Sequence, residues 1–279
     1  MTLNMTLNMA LNMALNMSGG EKTAIVMLIY YNYDLVERTL ESFSGKFSGD
    51  IIFVENPSVR SHEMRMIAKK YNVKHHYVCN QNIGGCAFEL FFRHHRLLLE
   101  NYDFIAATES DVVIGDGAIQ ETIDILKNNP EVKISSIQLD VGLHKYRNLP
   151  LDQWIPRPVP YKNFFVGCTG FQFIMFPRPI LYQFLKELSE KKHVNPIALG
   201  CSDFYGLSDT NLNSFVEKNH MLWGITTNKG DHIGWEKYLD DDQNYCESTD
   251  YCKTREKHLY YTRSNEVLDN MNDFVFVKL

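Results

Sequence analysis

Four short β-rich runs separated by three amphipathic stretches, all between residues 23 and 108, narrow the possible folds more than any other feature of this chain. The runs at 23–31, 50–54, 74–78 and 104–108 are dominated by apolar, β-branched and aromatic residues and end in polar or turn-forming ones, as strands do. After the first run, Leu35, Val36, Leu40 and Phe43 share one face at helical spacing, with Asp34 placed to cap the helix. Stretches 61–71 and 87–100 read as the second and third helices. Such alternation predicts an α/β fold, with a mostly parallel central sheet and helices on both faces, in a single domain.

The order loosens after Asp116. A helix at 117–128 leads to a strand at 132–139, then to a Pro-rich aromatic loop at 149–162 that contains Trp154. Residues 164–176 read as a strand pair broken at Gly167 and Gly170, and Pro177 and Pro179 open a helix that runs to about residue 191. A helix at 209–219, a strand at 221–226 and a polar aromatic tail follow.

With 279 residues, 44% of them hydrophobic, the chain can bury a full core. A net charge of −6 argues against a nucleic-acid-binding surface. The apolar stretch at 24–31 is far too short to span a bilayer. The six cysteines lack the spacing of a zinc site or a disulfide framework and read as reduced thiols, which fits a cytoplasmic protein. The first 17 residues repeat Met-Thr/Ala-Leu-Asn, with none of the marks of a signal peptide. Residues 1–20 are expected to be a disordered low-complexity tail ahead of a domain at 21–279.

In an open α/β sheet, ligands bind beyond the carboxyl ends of the strands. The chemically interesting residues fall there: Tyr31 and Asn32, Glu55 and Asn56, the segment 80–85, and Glu109-Ser110-Asp111. Acids at i and i+2 on extended backbone point the same way and repel each other unless a cation lies between them. Mg²⁺ and Mn²⁺ accept carboxylate and phosphate oxygens in one shell, so the pair suits a metal held against a diphosphate. Taken alone, acid-x-acid reads first as the solvated loop after a strand. Asp209 alone reads first as a helix N-cap, and His232 could be a loop histidine with no ligand.

In order and spacing these segments resemble a GT-A glycosyltransferase of the glycosyltransferase family 2 type, over roughly residues 23–235. The matching pieces are Tyr31-Asn32 after the first strand, Glu55-Asn56-Pro57-Ser58 after the second, and Asn82-Ile83-Gly84-Gly85 before the third helix. Glu109-Ser110-Asp111 stands where the family has Asp-x-Asp, and Ser208-Asp209-Thr210-Asn211-Leu212 where it has Glu-Asp-x-Asp-Leu. His232 follows Asp209 by 23 residues, near the family's later histidine. The glutamate at 109 is a departure, and of the three downstream family acids only Asp209 is kept. A Rossmann dehydrogenase is excluded, because 31–34 carries no glycine.

The resemblance implies a nucleotide-binding half at 21–115, an acceptor-binding half at 116–279, and transfer of a sugar from a UDP-sugar to a glycan hydroxyl. Tyr31, Asn32, Glu55, Asn82, Gly84, Gly85, Glu109 and Ser110 would bind the donor. Asp111, His232 and Glu109 would hold Mn²⁺ or Mg²⁺. Asp209 would be the general base, with Asp203 as the alternative, and inversion would give a β-glycoside. Trp154 and Trp235 would offer apolar platforms for sugars, although aromatics equally serve the core. A looser likeness, to capsid-glycan transferases of large algal viruses, points to xylose as donor sugar and to the host cytoplasm. Two rivals share the frame. A nucleotidyltransferase that makes nucleotide sugars would carry a Gly-rich basic loop after the first strand, which is absent from this sequence, and a non-catalytic nucleotide- or glycan-binding module would lose the metal site.

Overall fold

The computed structural model describes residues 21–30, 32–139, 158–194, 204–233 and 264–279. The tail at 1–20, Tyr31, Trp154, Asp203 and Trp235 lie outside the described residues. The first half follows the expected order: β1 (Thr23–Ile29), α1 (Tyr33–Phe43), β2 (Asp50–Glu55), α2 (Ser61–Lys70), β3 (His75–Cys79), α3 (Cys86–His94), α4 (Arg96–Leu99) and β4 (Phe104–Glu109). The second half comprises β5 (Val112–Ile114), α5 (Ala118–Asn128), β6 (Val132–Leu139), β7 (Val159–Tyr161), β8 (Phe164–Val166), β9 (Phe173–Pro177), α6 (Arg178–Ser189), α7 (Asp209–Lys218), β10 (Leu222–His232), α8 (Ser264–Asp269) and β11 (Phe276–Lys278).

All the strands join one sheet in the order β11-β3-β2-β1-β4-β9-β6-β10-β8-β7, with β5 paired to β10. Strands β3, β2, β1 and β4 are mutually parallel, and β6 is parallel to β10. Between these groups β9 runs antiparallel to both β4 and β6, so the sheet is mixed although its central strands mostly share one direction. Strand β1 shows why the sheet is sealed on both faces. Ala24 and Val26 enter one core cluster and Ile25, Met27 and Ile29 the other, as a two-residue period requires. Helices α3, α6 and α7 cover the first face through Phe88, Phe91, Phe184, Leu188, Leu212 and Phe215. Helices α1, α2 and α5 cover the second through Val36, Leu40, Phe43, Met64, Ile67, Ile119 and Ile125.

Several expectations need correction. Helix α1 begins at Tyr33 with Asn32 at its N-cap, so Asp34 lies in the first turn rather than at the cap. The helix expected at 87–100 is two, because His95 adopts φ −110° and ψ 32° and breaks it. Strands β8 and β9 are not a pair: β8 joins β10 and β7, while β9 inserts between β4 and β6. The strand expected at 221–226 runs on to His232. The end of the expected tail returns to the sheet, where β11 pairs antiparallel with β3, Phe276 facing Cys79. Its cause is non-local. The buried Phe276 packs edge-on against Phe91, with ring centroids 5.7 Å apart, a contact that no local periodicity encodes.

Candidate functional site

Glu109 ends β4, and Ser110 and Asp111 turn the chain into the short strand β5. Two hydroxyls one turn apart on α1 fix this turn. Thr39 donates to the Ser110 carbonyl (2.9 Å) and accepts from the Val112 amide (3.1 Å), while Ser42 accepts from the Ile114 amide (2.9 Å). On the other side the Glu109 amide donates to the Gln172 carbonyl (3.2 Å), at the start of β9. Strand β5 then pairs antiparallel with the end of β10, where His232 faces Val112 and the Ile233 amide donates to the Asp111 carbonyl (2.8 Å). That pairing delivers the histidine to the acids.

Glu109, Asp111 and His232 each offer a ligand atom, and the three atoms lie within 4.8 Å of one another. His232 Nε2 is 3.2 Å from Asp111 Oδ2 and 3.7 Å from Glu109 Oε2. Asp111 Oδ1 is buried without a hydrogen-bond partner, an arrangement that is costly unless something fills it. Two carboxylates, one imidazole and an orphaned buried oxygen fit a divalent cation of the Mn²⁺ or Mg²⁺ kind. The cluster opens on the Glu109 side: that side chain is 38% exposed, against 7% for His232. Even so, the cleft strips water from the carboxylate. This desolvation, with the Asp111 and Asp209 charges, pushes Glu109 up to about 7 against the opposing pull of His232.

The charge of Asp209 thus reaches Glu109, and after burial it is the next cause that raises the Cys168 thiol. Asp209 is exposed on the first turn of α7 and is not the cap. Ser208 is the cap, its hydroxyl accepting from the Asn211 amide (3.2 Å). The approach to this helix is held from two sides. Asn211 donates its side-chain amide to the carbonyls of Phe204 (3.1 Å) and Gly206 (2.8 Å). Buried Glu89 accepts from the Leu207 amide (2.7 Å) while Arg93 grips its other oxygen. Burial raises the Glu89 carboxyl against the pull of Arg93. Glu89 and Asn211 were missed at the sequence level. One signal was present for Glu89: a lone acid in an apolar helical run with Arg93 four residues on.

Of the other strand-end residues, Asn56 and Asn82 meet at the 82–85 turn. Asn56, buried, donates to the Gly84 carbonyl (3.1 Å) and accepts from the Ile83 amide (3.0 Å). Asn82 closes the turn by accepting from the Gly84 amide (3.1 Å), and Gly84 has φ +57°, which favours glycine. Gly85 precedes α3 with helical angles. Glu55 is fully buried, accepting from Ser61 (2.5 Å) and lying 2.6 Å from His76 Nε2, so a nucleoside contact would share one of these oxygens. The Asn32 carbonyl accepts from the Leu35 and Val36 amides at the start of α1.

No family model matches the chain. It is 27% identical over 250 residues to uncharacterized protein L138 of Acanthamoeba polyphaga mimivirus, and 24% identical over 245 residues to uncharacterized protein L142 of the same virus. These matches take in 82% and 81% of the chain but only 26% and 46% of the relatives, so the chain spans less than half the length of either. Among solved structures, 4-diphosphocytidyl-2C-methyl-D-erythritol synthase from Anaerococcus prevotii is 12% identical, with a TM-score of 0.49 over 77% of this chain and 92% of that one. Glucosyl-3-phosphoglycerate synthase from Mycobacterium tuberculosis, in complex with Mn²⁺, UDP and glucosyl-3-phosphoglycerate, is 12% identical, with a TM-score of 0.47 over 77% of this chain and 73% of that one. No helix among the described residues is long and apolar enough to cross a membrane.

Proposed function

We propose that the protein is a metal-dependent inverting glycosyltransferase that moves a sugar from a UDP-sugar to a glycan hydroxyl and forms a β-glycoside. The observation that carries this reading is the cluster of Glu109, Asp111 and His232 at the carboxyl end of β4, within electrostatic reach of Asp209. Asp111, His232 and Glu109 would hold Mn²⁺ or Mg²⁺, which when bound supplies positive charge to a departing diphosphate. The 82–85 turn, tied to β2 by Asn56, presents backbone to the donor without a side chain at Gly84. Tyr31, Asn32, Glu55 and Ser110 complete the proposed donor site, and Trp154 and Trp235 the acceptor side. Asp209 takes the proton from the acceptor hydroxyl as that oxygen attacks the anomeric carbon, from the face opposite the leaving UDP. Its exposure on the first turn of α7 suits a group that meets an incoming acceptor.

The test is to incubate the protein with Mn²⁺ and a panel of UDP-sugars, UDP-xylose first, and to measure released UDP. One donor should be consumed in preference to the others, and Asp111→Asn should abolish both this consumption and Mn²⁺-dependent UDP binding. Pyrophosphate released from UTP and a sugar 1-phosphate would instead favour a nucleotidyltransferase. UDP binding without turnover of any donor would favour a binding module.

A further inference from the structure

Strand β10 does not run straight to the acid pair. Against β6, Ile225 faces Ser136 and Lys229 faces Gln138, so β10 uses four residues where β6 uses two. Both extra residues lie in the bulge Thr226-Thr227-Asn228. Beyond it the strand resumes, and His232 faces Val112 beside Asp111. A straight β10 would put Gly230 opposite Val112 and carry His232 two residues further, roughly 7 Å at the usual rise per residue. The bulge therefore sets the register that places the histidine.

One side chain holds the bulge from outside the strand. On the first turn of α5, Glu121 Oε1 accepts from the Thr227 amide (2.6 Å) and hydroxyl (2.8 Å). Its Oε2 accepts from the Asn228 amide (2.9 Å) and side-chain amide (2.7 Å). Thr226 fills the gap in the ladder by accepting from the Gln138 amide (3.1 Å). At the junction of β5 and α5 the Gly115 amide donates to the Lys229 carbonyl (3.0 Å), and a Cβ at Gly115 would lie 2.1 Å from that oxygen.

We propose that Glu121 is a positioning residue for the metal centre: by clamping the β10 bulge it fixes His232 against Glu109 and Asp111. This inference rests on the metal-centre reading above. Glu121→Gln should weaken Mn²⁺ binding by up to about 10-fold, at or below the low end of what loss of a group bonded directly to a ligand costs, because Glu121 reaches His232 only through the strand. The ion is titrated by electron paramagnetic resonance, with melting temperature and circular dichroism recorded on the same samples. In a His232→Ala background the same change should have no further effect, because Glu121 acts through the histidine. Full Mn²⁺ affinity in Glu121→Gln, or losses that multiply in the double variant, would overturn the proposal while Asp111→Asn still abolished binding. Binding that survives Asp111→Asn would instead sink the metal-centre reading, and this inference with it. Should Glu121→Gln fail to fold, Asn228→Ala removes a single hydrogen bond and carries the same cycle with a smaller expected loss.

Discussion

At the scale of single residues, Glu109 couples the acid pair to pH. Desolvation in the cleft and the repelling charges of Asp111 and Asp209 push its carboxyl well above the usual carboxylate range, to about 7. A metal needs the deprotonated form, so Mn²⁺ affinity should fall as pH drops below about 7, which calorimetry between pH 5.5 and 8 would show. The metal-free fold should respond in the opposite sense. A carboxyl whose folded value is raised contributes stability below its unfolded value of 4.5 and loses that contribution as pH rises through about 7. Melting curves across that window should decline without metal and recover when Mn²⁺ is added. Asp209 should separate chemistry from binding. Asp209→Asn should bind UDP as before yet lose about 10²–10⁴ in transfer rate, the usual cost of removing a general base. Near-normal transfer would remove Asp209 from that role and direct attention to Asp203.

At the scale of elements, the site is assembled from supports on neighbouring pieces of the fold. Helix α1 fixes the acid turn through Thr39, which serves the Ser110 carbonyl and the buried Val112 amide with one hydroxyl. Thr39→Val keeps the shape and leaves that amide unpaired, at a cost of about 1–3 kcal/mol. Urea denaturation should show this loss, and Mn²⁺ affinity should fall with it. Helix α3 does the equivalent for α7 through Glu89 and the Leu207 amide. Of these supports only Glu89, an acid in an apolar run, left a trace in the sequence. Thr39 sits on a helix where serine and threonine are unremarkable, and its role exists only because β5 passes beside it.

At the scale of the whole molecule, the sheet is closed at one edge by β11, far in sequence from its partner β3. Phe276→Ala should cost about 3–5 kcal/mol, as large-to-small changes of buried phenylalanine do, measured by chemical denaturation. A cost near zero would show that the fold does not depend on this edge. The sequence by itself determined the α/β class, the order of the first four strands and the three helical regions between them, and the meeting of polar residues at the strand ends. Periods of 2 and 3.6 are local, and both faces of β1 read as apolar without reference to any other part of the chain. Only the tertiary structure decided that β9 lies between β4 and β6 and that β11 returns to the edge; the family resemblance already groups His232 with Asp111, and the pairing of β5 with β10 is what brings the two within 3.2 Å. Register between distant strands depends on backbone pairing, on a bulge that adds two residues to β10 and on the side chains that hold it. None of these repeats along the chain, so no local pattern carries them.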